Sequence, residues 1–137
     1  MGKKGADGIT GFSQMIQRVF NKYADSLAAA YLFGSAATKE ATPLSDIDIA
    51  VLFKAHAKEN QSTLRFRLYT DLSRALHRND IDLVILNTST NLILQEEIVR
   101  NGVLLFDRDA DAREDYECRI LHMSIDFRGQ RRLAMGT

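Results

Sequence analysis

Near the start of the chain, Phe12, Met15, Ile16, Val19, Phe20 and Tyr23 recur at helical spacing and share one face, which predicts a helix over residues 10–24. The period then shortens, and the run AAAYLF predicts a strand over residues 29–33. A second strand is predicted over residues 46–53. There Ile47, Ile49, Val51 and Phe53 point one way and Asp46, Asp48, Ala50 and Leu52 the other, because alternate residues of a strand share a face. Past Asp48 both faces are apolar, so the strand needs cover on both sides, with its charged end at a cleft.

Leu64, Leu68, Leu72 and Leu76 recur every fourth residue, predicting a long helix over residues 60–77 whose leucine stripe is core. A third strand follows over residues 81–86, with Ile81, Leu83 and Ile85 opposed to Asp80, Asp82, Val84 and Leu86. Next come a helix over residues 90–100, capped by Ser89 or Thr90 and closed by Gly102, and a short edge strand over residues 103–106. The last predicted helix, residues 111–127, carries Tyr116, Ile120, Met123 and Phe127 on one face. Tyr116 and Ile120 are assigned to the core, Met123 and Phe127 to a partner surface. The pattern as a whole is α+β: a small mixed sheet with helices packed on it and a C-terminal helix.

Chemistry enters at the charged strand ends. Asp46 and Asp48 face the same way, roughly 7 Å apart along the strand, and Asp82 opens a comparable apolar run, DIDLVIL. Like charges about 4 Å apart repel by roughly 4 kcal/mol near a protein surface, so three gathered aspartates call for a cation. Hard carboxylate oxygens suit Mg²⁺, whose remaining coordination positions go to water and substrate phosphate. Two such ions would activate an attacking hydroxyl and steady the leaving oxygen of an in-line displacement. Asp82 is preferred to Asp80 for the third carboxylate, since Asp80 belongs to the preceding Asn-Asp turn.

Just after the first strand stand Gly34 and Ser35. Glycine lets backbone approach a ligand closely, while exposed amides and a hydroxyl bind phosphate. The following AATKE segment suits a short helix aimed at the bound anion, broken by Pro43, and Ser45 completes the candidate nucleotide-binding set of Gly34, Ser35 and Ser45.

The stretch GSAATKEATPLSDID resembles the G-S-x(10)-D-x-D signature of the DNA polymerase β-like nucleotidyltransferases, and more narrowly of the minimal nucleotidyltransferases (MNT). The likeness runs from about Tyr31 to about Phe127. It implies the polymerase β-like fold and transfer of AMP from ATP to a hydroxyl, with Asp46, Asp48 and Asp82 as catalytic metal ligands, Mg²⁺ as the metal, and Gly34 and Ser35 holding the triphosphate. It further implies an antitoxin that modifies a HEPN-type toxin, commonly on a tyrosine. Two other readings of the same residues are an antitoxin that neutralises by binding alone, and an aminoglycoside-type nucleotidyltransferase with a small-molecule acceptor. Family members commonly read G-S-R-A-R-G after the strand; here Ala36, Thr38 and Lys39 occupy those places.

Composition narrows the class. A chain of 137 residues is read as one domain, with residues 1–9 flexible and 128–137 a frayed tail. Lys plus Arg and Asp plus Glu both number 18, so the chain lacks the basic excess of a dedicated nucleic-acid binder. Cys118 is the sole cysteine, which precludes an internal disulfide and fits a reducing cytoplasm. The opening MGKKGADG has no signal-peptide core, and no apolar run reaches membrane-spanning length.

Overall fold

Two apolar faces on each central strand dictate three layers. The computed structural model describes residues 7–34, 46–57 and 59–136. Its elements are α1 (Asp7–Asn21), β1 (Leu27–Phe33), β2 (Ile47–Phe53), α2 (Gln61–Leu76), β3 (Ile81–Ile85), α3 (Leu92–Asn101), β4 (Val103–Asp107) and α4 (Ala110–Gly136). The sheet order is β3-β2-β1-β4. β1 runs antiparallel to β2 and β4, whereas β2 and β3 are parallel, giving the mixed α+β fold that the pattern predicts.

Ile47, Ile49, Val51 and Phe53 bury against Ile16, Val19, Phe20 and Tyr23 of α1 and Leu64, Leu68 and Leu72 of α2. On the opposite sheet face, Ala50 and Leu52 pack with Ile98 of α3 and with Tyr116 and Ile120 of α4. A register shift between Leu27 and Ala29 lets Ala28 and Ala29 join the same core cluster, as a bulge does when it inserts one residue into a strand. Leu68 is fully buried at the centre of the first cluster. Leu68→Ala is expected to cost about 2–5 kcal/mol, read as a lowered denaturant midpoint with an unchanged slope.

Several boundaries move from their predicted places. α1 starts at Asp7 and ends at Asn21, and Met15 on the predicted apolar face is 37% exposed. α2 is capped by Asn60, whose side chain accepts from Thr63 N, and stops at His77 in the left-handed conformation. α3 is capped neither by Ser89 nor by Thr90. Asn91 accepts from Leu94 N, and Ser89 Oγ accepts from Asn91 N instead. Gly102 does close α3, donating to Ile98 O at 2.8 Å, and a side chain there would meet that carbonyl.

α4 continues to Gly136, past Phe127 and through the segment read as a frayed tail. Tyr116 and Ile120 are buried while Met123 and Phe127 are exposed, the division expected of that face. Asn87, just past β3, donates to Phe53 O and accepts from Phe53 N, so an amide side chain continues the backbone pairing at the end of β2. Among the described residues no helix is long and apolar enough to cross a membrane.

Candidate active site

Strand register brings the aspartates together. In the parallel pair β2/β3, Ile47 faces Ile81 and Asp48 faces Asp82. Ile47 N donates to Asp80 O at 3.1 Å, so the segments entering both strands are tied side by side. Ile81 and Leu83 are in the α1/α2 core. Alternation therefore turns Asp48 and Asp82 toward the opposite face, at the N-terminal ends of the two strands, and Asp46 and Asp80 are the residues directly before those strands. The result is one rung, Asp48 beside Asp82, with the charge of Asp46, at the entrance to β2, acting on Asp48 as well. Asp46 and Asp82 are exposed, and Asp48 is partly buried.

The third strand supplies the turn. Phe33, the last residue of β1, pairs with Asp48, and Gly34 follows with φ +71, a conformation that disfavours any side chain. A Cβ at Gly34 would lie 2.1 Å from Asp48 Oδ2 and 3.1 Å from Cγ. Glycine is thus required twice over, for its backbone angle and for the space that the Asp48 carboxylate fills. Ser35 and Ser45, together with Lys39, Pro43 and the short helix expected after the turn, lie outside the described residues.

The electrostatics follow from this crowding. Burial pushes the Asp48 carboxyl above the usual carboxylate range, and the charges of Asp82 and Asp46 push it further. Asp80 goes the other way. Its carboxylate accepts from Arg78 Nε at 2.8 Å and Nη2 at 2.6 Å, a fork that holds its pKa below the usual range. Among the described residues no three carboxylate, imidazole or thiolate groups stand close enough to hold one metal ion. The structure gathers the predicted aspartates at the N-terminal ends of β2 and β3 without closing them into a three-ligand cage. The donor set itself, all carboxylate oxygen with Asp48 repelled by two like charges, fits a hard divalent cation. Asp46, Asp48 and Asp82 would contribute ligands to it, with water and substrate phosphate completing a set that the three carboxylates alone do not close.

Arg78 was not singled out from the sequence, which places it two residues before Asp80 without showing that the two pair. A cleft of about 440 Å³ lies near the other end of β2, lined by Leu52, Leu86, Gln95, Tyr116, Ile120 and Met123 among others. Gln95 Nε2 donates there to Tyr116 Oη, whose pKa burial pushes up to about 12. The aspartates do not line this cleft.

The chain is similar to a solved toxin–antitoxin structure with AMP-PNP, at 27% identity and a TM-score of 0.71, covering 90% of this chain and 95% of the other. It is likewise similar to a mutant of such a pair carrying two aspartate-to-glutamate changes, at 26% identity and a TM-score of 0.71, covering 90% and 95%. The MntA–HepT toxin–antitoxin structure is 26% identical with a TM-score of 0.64, covering 90% and 93%. No curated protein sequence matches the chain. Residues 14–111 match the family described as polymerase beta, nucleotidyltransferase, and that span, most of the 137 residues, shows that this chain belongs to the polymerase beta nucleotidyltransferase family.

Proposed function

We propose that this protein transfers AMP from ATP to a hydroxyl, a tyrosine, of a HEPN-type toxin and so acts as its antitoxin. The observation that carries the reading is Asp48 set beside Asp82 in register, with Gly34 turned tightly against Asp48. In the transfer, a bond forms between the acceptor oxygen and the α-phosphorus, the bond to pyrophosphate breaks, and the hydroxyl proton passes to Asp82. Asp46, Asp48 and Asp82 would hold Mg²⁺, which would supply charge neutralisation to the transfer. Gly34, with Ser35 and Ser45, holds the triphosphate through backbone amides and hydroxyls. Likeness over 90% of the chain to a toxin–antitoxin structure containing AMP-PNP supports both the nucleotide and the partner class. The protein acts in the cytoplasm on this reading.

The test mixes purified protein, ATP, Mg²⁺ and the product of the adjacent gene, and measures the partner's intact mass. An added AMP, absent with Asp82→Ala, is the expected result. An active partner left unmodified would reject the reading.

Met123 and Phe127, 48% and 41% exposed on α4, favour a second reading in which the antitoxin neutralises by occupying its partner's surface. An Asp46→Ala, Asp48→Ala double variant that still protects cells would select it over catalysis.

A further inference from the structure

The sheet order gives the site two flanks. Gly34, at the end of β1, approaches Asp48 from one side, while Asp82 and the Arg78–Asp80 pair stand on the β3 side. In-line displacement at phosphorus places the attacking and leaving oxygens on opposite sides of the reacting atom. If the triphosphate is gripped on the glycine flank, the attacking hydroxyl must arrive over β3. Arg78 stands on that flank. Its fork to Asp80 fixes the guanidinium at the rim, and the backbone bond from Ile47 N to Asp80 O fastens the pair to β2 as well.

Both side chains remain reachable, at 28% and 36% exposure. Their surroundings also matter. Asp48 and Asp82 stand side by side, and the charge of Asp46 reaches Asp48, so an oxygen acceptor arriving there meets a negative field. Arg78 is a cation positioned to offset it: beyond its hydrogen bonds to Asp80, the charge of Asp46 also acts on it.

We propose that Arg78, aimed by Asp80, is an acceptor-binding residue that donates to the attacking hydroxyl's oxygen while Asp82 takes the proton. The assignment rests on the nucleotide-transfer reading above. It makes Arg78 a determinant of the acceptor and leaves the nucleotide's own contacts untouched.

Two measurements on the wild-type protein, Arg78→Gln and Arg78→Lys test this. One is affinity for Mg·AMP-PNP with no partner present. The other is the rate of AMP transfer at saturating ATP and limiting partner. Loss of a hydrogen bond to a charged donor predicts a ten- to hundredfold slower transfer for Arg78→Gln, with AMP-PNP affinity unchanged. Arg78→Lys, which keeps the charge but not the planar fork, is expected to fall between, and it decides the matter should Arg78→Gln fail to fold. Wild-type transfer rates in a folded variant would overturn the assignment, and so would AMP-PNP affinity falling in step with the rate. A wild-type protein that modifies no partner overturns the transfer reading itself, a separate result.

Discussion

Asp48→Asn should abolish nucleotide transfer and at the same time raise the melting temperature of the metal-free protein. The two effects share one cause. Asp48 is partly buried, faces Asp82 across the parallel pair and feels Asp46 at the entrance to β2. A neutral amide of the same shape relieves burial of charge and repulsion together, which near a surface amounts to about a kcal/mol or more, or roughly 2–5 °C for a chain of this size. Transfer should fall by about a thousandfold or more, as when a group that stabilises transition-state charge is lost.

The pH dependence gives the same claim a sign. A carboxyl whose folded pKa is raised binds its proton more tightly folded than unfolded, so its ionisation weakens the fold above the folded pKa. As pH falls through that value the penalty disappears. The stability advantage of Asp48→Asn should therefore be full near neutrality and shrink on acidification. Calorimetric melting of both proteins across that range checks this, and an Asn variant less stable than wild type at neutral pH would contradict it.

Gly34→Ala carries the other large expected effect. The left-handed backbone angle alone costs a non-glycine residue about 1–2 kcal/mol, which melting should register as a drop of several degrees. The loss of activity should be out of proportion to that. The new methyl would lie 2.1 Å from Asp48 Oδ2, and the atom that must give way is the end of a side chain, so the carboxylate moves and the strand stays. Displacement of a catalytic group by about 1 Å costs on the order of a hundredfold. Transfer reduced by that factor in a still-folded protein is the expected outcome. Near wild-type transfer would mean that the position of Asp48 is not critical.

Much of the fold was legible because its signals are periodic. Two-residue alternation separated Ile47, Ile49, Val51 and Phe53 from Ala50 and Leu52, and the structure places them in two different cores. The four-residue recurrence of Leu64, Leu68 and Leu72 marked α2 in the same way, and all three leucines are buried. Boundaries were less legible, because several residues compete for one role. Ser89, Thr90 and Asn91 are all competent caps, and Asn91 prevails as the residue directly before the helix begins at Leu92. The reach of α4 was hidden because the apolar stripe ends at Phe127 while the backbone keeps its helical hydrogen bonding to Gly136, and periodicity reports burial rather than helicity.

At the site, the D-x-D spacing and the third strand's aspartate were readable. The pairing of Asp48 with Asp82 depends on strand register, which spacing does not encode. The fork from Arg78 to Asp80 was not readable for a related reason. Sequence places the two residues at one strand entrance, whereas the choice of partner is settled by how that turn packs beside β2.

The central claim is that Asp46, Asp48 and Asp82 together bind divalent ions with a nucleotide. Calorimetric titration of Mg²⁺ into the protein in the presence of AMP-PNP tests it most directly. Saturable uptake that disappears in Asp48→Asn is the predicted result; no uptake by the wild-type protein, or equal uptake by the variant, would contradict it.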